Sequence, residues 1–361
     1  MVNDIEKWLE YELYGYDKEE KRKLLEPSLN FLTRRHNSNC SHYNKIISDQ
    51  NIDLNNDLEI SDIPFIPVRL FKEFELLSIS KNEIFKEMTS SGTSGGAVSR
   101  IFLDKNTALN QTKVLSKLVS NVIGKRRLPM LIIDTPNVLK NRNTFSARGA
   151  GILGFSMFGK DATYALNDDM SINFKLVEDF CSKHDNSTIF IFGFTSIIWQ
   201  HFITPMLKKR YTLPIKDGFL FHGGGWKNIF DQSVDRSTYS AVVKSVTNVK
   251  KVKNYYGMVE QTGSIFMECE YNHLHAPIYS DVIVRRSLDL SPANFGEKGV
   301  LEVLSMLPES YPGHALLTED IGEIIGEDDC LCGKKGKYFQ VHGRIEKAEI
   351  RGCSDTYQSS Q

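Results

Sequence analysis

The sequence predicts an α/β protein whose C-terminal third forms a smaller β subdomain. Two observations carry this. In the middle of the 361-residue chain, short apolar runs of strand length alternate with amphipathic stretches; in the last third, β-rich segments are separated by Gly and Pro. A third observation is the run Ser90-Ser91-Gly92-Thr93-Ser94-Gly95-Gly96. It lies just ahead of the apolar runs, where the fold class calls for loops at strand ends that carry a site.

The first elements are helical. Trp8, Leu9, Tyr11 and Leu13, then Leu24, Leu25, Leu29, Phe31 and Leu32, recur near helical spacing among Lys and Glu residues. Pro64 and Pro67 punctuate an apolar link from Ile63 to Phe71. After the Ser/Thr/Gly run, Thr107 to Val122 reads as an amphipathic helix. Met130 to Asp134, Thr188 to Phe192 and Gly218 to Phe221 read as buried strands. Tyr279 to Arg285 and Val300 to Leu304 supply strands of the β subdomain. There is no internal repeat and no low-complexity segment.

Composition narrows the partners. Forty-four basic against 45 acidic residues make no electrostatic case for nucleic acid or an anionic membrane, and favour a small ligand. Nowhere do roughly 18 apolar residues run together, so no membrane span is expected. Met1 to Lys7 lacks the basic-then-apolar layout of a signal peptide, and a cytoplasmic location is expected. Six scattered cysteines do not make a disulfide framework; thiol chemistry, metal binding or burial are left as their uses.

Five clusters suit a nucleotide. Residues Ser90, Ser91, Gly92, Thr93, Ser94, Gly95 and Gly96 combine hydroxyl donors with glycines that admit a phosphate close to backbone N–H groups. No Lys follows in the Walker pattern, and a flexible surface loop is the competing reading. His222-Gly223-Gly224-Gly225-Trp226-Lys227 follows a strand, so its glycines could let a flat base lie against the backbone; a tight turn is the alternative. In Tyr256-Gly257-Met258-Val259-Glu260, a ring that can stack on adenine precedes a carboxylate that can hold magnesium. Asp320 offers a carboxylate for ribose hydroxyls, and Arg344 a guanidinium for ribose or phosphate.

Taken in order, these clusters resemble the core motifs of the adenylate-forming superfamily. Within it the chain is most similar to the LuxE-type acyl-protein synthetases, with related features in phenylacetate-CoA ligase-like enzymes. The likeness covers Ile63 to Val68, Ser99-Arg100-Ile101-Phe102, His222 to Lys227 and Arg351-Gly352-Cys353-Ser354. The resemblance implies the large N-terminal domain of that fold over residues 1–340. Residues 341–361 would be a truncated C-terminal segment, the usual lid domain being largely absent. It implies ATP and Mg2+ as cofactors: Ser90 to Gly96 around the β- and γ-phosphates, Tyr256 on adenine, Glu260 on magnesium, Asp320 on ribose and Arg344 beside the nucleotide. Cys353 would accept the acyl group and pass it to a partner such as an acyl reductase.

The chain departs from the pattern in two places. The lid-domain lysine that promotes adenylation has no counterpart, so Arg100, Lys227 or Lys347 is considered in its place. Glu319 stands where many relatives carry Gly before the ribose aspartate.

A second constellation concerns metal. Cys330-Leu331-Cys332 and upstream Cys269, with His273 or His275, offer sulfur and imidazole ligands for a structural zinc; the expected set is Cys269, His275, Cys330 and Cys332. A pair of free thiols is the other reading.

The function expected is activation of a carboxylic acid, a fatty acid foremost, as an acyl adenylate, followed by transfer to Cys353 and onward. The alternatives are ligation to coenzyme A or an acyl carrier protein, and a non-catalytic nucleotide-binding scaffold. Phe155, Met157, Phe158, Phe192, Phe194 and Trp199 are candidates for an acyl channel, although such spacings also suit a core.

Overall fold

The computed structural model describes residues 5–90, 98–139, 147–226 and 233–345. Three helices lead: α1 (Ile5–Glu10), α2 (Lys18–Asn39) and α3 (Ser41–Asp49). Asp17 starts α2 with a capping box, its carboxylate accepting from Glu20 N while Glu20 reaches back to the Asp17 amide. Buried Leu25, Leu29 and Leu32 dock this helix on the sheet.

A short strand β1 (Ile66–Pro67) and turn of helix α4 (Leu70–Glu73) follow, then a hairpin of β2 (Lys86–Thr89) and β3 (Arg100–Leu103). The α/β half contains α5 (Lys105–Ile123), β4 (Leu128–Ile133), α6 (Ala147–Ser156), β5 (Gly159–Tyr164), α7 (Phe174–Lys183) and β6 (Ile189–Phe194). It continues through α8 (Thr195–Ile197), a π turn over Ile198–Ile203 and α9 (Thr204–Lys208) to β7 (Gly218–Gly223), α10 (Arg236–Thr247) and β8 (Lys251–Tyr256). Strands β5-β4-β6-β7-β8 are parallel. Their centres are unbroken apolar runs because both faces are covered. Val114 and Leu118 of α5 and Ile152 of α6 pack with Phe190 and Phe221 on one face; α7, α9 and α10 pack Val177, Met206 and Val243 on the other. The crossovers change face between β4 and β6, which is the topological switch where such sheets open a crevice.

The predicted β-rich third is present but is not a separate sheet. Strand β8 pairs antiparallel with β9 (Phe266–Glu268), and the ladder runs on through β10 (Leu274–His275), β14 (Lys337–Arg344), β13 (Ala315–Glu327), β12 (Lys298–Ser305) and β11 (Ser280–Arg285). With β1 alongside β13 this makes one 12-stranded sheet. Pairing β8 with β9 satisfies an edge that would otherwise expose backbone donors and acceptors. Buried ions stitch α2 to this half: Asp281 of β11 accepts from Lys337 of β14 at 2.9 Å and faces Lys21 of α2 at 3.6 Å.

Three of the apolar residues considered for an acyl channel are packed in the core. Phe155 stacks on Phe192 at 4.3 Å between centroids, and both are core, as is Phe158. Met157 is exposed. No helix among the described residues is long and apolar enough to cross a membrane.

Candidate active site

The site assembles where the parallel and antiparallel halves of the sheet meet. Tyr256 is the last residue of β8, and the chain passes through Gly257 into a 3-10 turn, Val259–Gln261, that carries Glu260. The Tyr256 hydroxyl donates to Asp320 Oδ2 at 2.7 Å, and its ring meets Phe266 and Phe339 at 6.2 and 6.3 Å. Asp320 of β13 lies directly opposite Arg344 of β14 in the ladder, with Nε 3.8 Å from Oδ1. Thr318 Oγ1 accepts from the Asp320 amide at 3.1 Å. Burial lifts the Asp320 carboxyl above its ordinary value, against the pull of the Tyr256 hydroxyl and the Arg344 charge. Arg344 itself is exposed, so its guanidinium is free to meet a ligand.

Glu260 is buried, and desolvation raises its carboxyl. Its turn is rigidly framed. The Tyr311 hydroxyl donates to Glu260 O at 2.9 Å, and the next side chain, Gln261, donates to Val303 O at 2.9 Å and Gly313 O at 2.8 Å. Thr262 Oγ1 lies 3.8 Å from Met88 Sδ on β2, so the β2–β3 hairpin rests against the Glu260 turn. At the mouth of that hairpin Ser90 N donates to Ser99 O, and Ser99 N to Ser90 Oγ. The motif residues Ser91, Gly92, Thr93, Ser94, Gly95 and Gly96 lie outside the described residues. So do Cys353, Lys227 and Lys347. Arg100 is engaged by Glu87 at 2.7 Å and Glu75 at 3.1 Å.

The glycine turn ends β7. A side chain at Gly223 would strike the Tyr255 ring at 2.6 Å, and Gly224 has φ +75, so both positions demand glycine; Gly225 leaves open space above it. His222, which precedes them, is buried and kept neutral by desolvation. Thr195 Oγ1 lies 2.8 Å from His222 Nδ1 and 3.1 Å from Gly223 O, tying the ends of β6 and β7 together. Sequence patterns left Thr195 and the neighbouring Arg236–Glu268 ion pair unnoticed, because each partner lies in a different element.

Around β10, Cys269, His275, Cys330 and Cys332 converge, with one ligand atom from each lying within 4.8 Å of all the others. Cys332 Sγ is 3.3 Å from His275 Nε2; His273 instead approaches Cys330 at 3.5 Å. Burial lifts the Cys330 thiol to about 12 and depresses His275 to about 3, leaving the imidazole in its neutral, ligating form. Tyr338 of β14 stacks on His275, 5.7 Å between centroids.

The acyl-protein synthetase family model called LuxE matches residues 6–360. The chain belongs to that family. Membership makes it a ligase. The long-chain-fatty-acid–luciferin-component ligase of Aliivibrio fischeri is 24% identical over 334 residues, covering 87% of this chain and 84% of that protein. The ligase of the same name from Vibrio harveyi is 22% identical over 304 residues, covering 82% and 77%. In architecture the chain is similar to 2-hydroxyisobutyryl-CoA ligase solved with 2-HIB-AMP and CoA, with TM-score 0.70 and 13% identity over 92% of this chain and 77% of that one. The expected adenylate-forming fold is therefore borne out.

Proposed function

We propose that the protein activates a carboxylic acid with ATP, forming an acyl adenylate, and transfers the acyl group to its own Cys353 for delivery to a partner protein. A fatty acid is the substrate class, in keeping with the names of the bacterial relatives. The observation that carries this reading is the meeting of Tyr256, Asp320 and Arg344 beside the turn that presents Glu260, since these come from separate motifs over some 90 residues of sequence. Asp320 would receive the ribose hydroxyls, Glu260 would hold magnesium, and the Tyr256 ring and glycine turn would enclose adenine. Magnesium would neutralise phosphate charge. In the first half-reaction a carboxylate oxygen attacks the α-phosphorus and pyrophosphate leaves with the electron pair of the broken bond. In the second, the Cys353 thiol loses its proton, attacks the acyl carbon and expels AMP.

The Cys/His cluster would hold a structural zinc. Three sulfurs and one nitrogen suit that ion, and a tetrahedral centre with Zn–S bonds of about 2.3 Å requires only modest contraction of the observed spacing. The cluster joins β9 and β10 to the segment entering β14, which carries Arg344.

Intact-protein mass after incubation with ATP, Mg2+ and a panel of fatty acids tests the central reading. An acyl adduct removed by neutral hydroxylamine and absent from Cys353→Ala is expected. Acylation of added coenzyme A alone would redirect the assignment to a CoA ligase, and absence of any ATP-dependent product would overturn it.

A further inference from the structure

The nucleotide site contains a second cation that no motif announced. Lys72 lies on α4, one residue past the apolar link that ends at Phe71. Strand β1 pairs parallel with β13 at Ile66↔Leu316 and Pro67↔Leu317, and Val68 N continues the pairing to Leu317 O at 2.9 Å. Phe71, buried and edge-on to Tyr311 at 5.9 Å, pins α4 against the residue that frames Glu260. This delivers Lys72 to the N-terminal half of β13, beside Glu319 and next to Asp320. Its ammonium stands 4.0 Å from Glu319 Oε2, and its charge is felt by the Glu260 carboxyl. A separation of 4.0 Å is ion pairing without a hydrogen bond, so none of its three donors is spent on Glu319. The side chain is 37% exposed.

We infer that Lys72 is a catalytic residue of the adenylation step, contacting the phosphates of ATP and neutralising the charge that grows as pyrophosphate departs. The inference rests on the adenylate-forming reading above. It also gives a reason for Glu319, whose carboxylate in place of a glycine aims Lys72 between itself and Glu260. No proton is transferred: the carboxylate oxygen forms its bond to the α-phosphorus, the bond to the bridging oxygen breaks, and the ammonium stabilises the leaving pyrophosphate electrostatically. A fixed cation facing developing phosphate charge is worth roughly 100-fold or more in rate.

Rates of the two half-reactions separate this from a structural role. Lys72→Ala should lower kcat for ATP-dependent pyrophosphate release by about 100-fold. Thermal stability and the rate at which Cys353 is acylated by supplied acyl adenylate should stay unchanged. Lys72→Arg should recover part of the loss. Glu319→Gln should reduce pyrophosphate release in the wild-type background and add nothing to Lys72→Ala, the two acting as one unit. Undiminished pyrophosphate release by Lys72→Ala overturns the inference, as does an equal fall in both half-reactions or full additivity with Glu319→Gln. Failure of the wild-type protein to release pyrophosphate with any acid would sink the adenylation reading itself, a distinguishable result.

Discussion

Asp320 meets a phenol, a guanidinium and a backbone-oriented threonine at once, and its role follows from what those contacts leave over. The Tyr256 hydroxyl at 2.7 Å occupies one oxygen, so the other faces Arg344 and the space a ribose would fill. Asp320→Asn keeps the shape and removes the charge. It should weaken ATP binding by about 10- to 100-fold, the worth of hydrogen bonds to a charged group, which isothermal titration measures. Asp320 and Glu260 are both lifted above ordinary carboxylate values, by burial in each case. In the proposed roles both carboxylates act charged, so the acid limb of the pH–rate profile should fall at higher pH than exposed carboxylates would give. Asp320→Asn should move that limb in a measured profile. Asp320, Tyr256 and Glu260 were legible in the sequence because chemistry restricts those positions to few residue types. Lys72 and Thr195 were not, since a Lys or Thr in an ordinary segment carries no signal until another element is folded against it.

Between α2 and the corner joining β12 to β13 lies a pair of buried imidazoles. His36 Nδ1 is 2.7 Å from Ser78 Oγ and its Nε2 is 3.0 Å from Pro308 O; His314 Nε2 is 2.9 Å from Thr33 Oγ1. The two rings stand 5.0 Å apart. Desolvation lowers both, His314 to about 3, and His314 further lowers His36. In the unfolded chain each titrates near 6.5, so the unfolded state takes up protons first. Stability from these neutral rings is complete above about pH 6.5 and drains as pH falls toward 3, by up to about 1.4 kcal/mol per pH unit per histidine. Denaturant midpoints at pH 7 and 4.5 should record the loss. His314→Asn, less stable at pH 7, should show a shallower decline. A second element carries the site directly. Phe339 of β14 is buried against Tyr256 and Phe266, and Phe339→Ala should cost about 3–5 kcal/mol by chemical denaturation, loosening the strand that presents Arg344.

Across the molecule, one sheet joins a doubly wound parallel half to an antiparallel half, and Tyr256, Glu260, Asp320 and Arg344 sit along their junction. The Cys/His cluster lies in the antiparallel half, at β10 and the segment that enters β14. Metal analysis of protein purified without chelator should find one zinc per chain, and Cys332→Ser should lose it. Stripping the ion should lower Tm by at least about 3 °C and weaken ATP binding through β14. The sequence by itself determined the α/β class, the buried strands, the motif order, the family and the candidate ligand set Cys269, His275, Cys330 and Cys332. Each of these is written in local periodicity or in residue types whose chemistry few substitutes share. Only the tertiary structure decided that the β-rich third extends the parallel sheet, that the four Cys/His side chains converge with His273 beside them, that Phe155, Phe158 and Phe192 fill the core, and that Lys72 stands with Glu319 beside Asp320. The physical reason is common to all four: they depend on which distant segments pair and pack, and pairing is fixed by burial and hydrogen bonding summed over the whole chain.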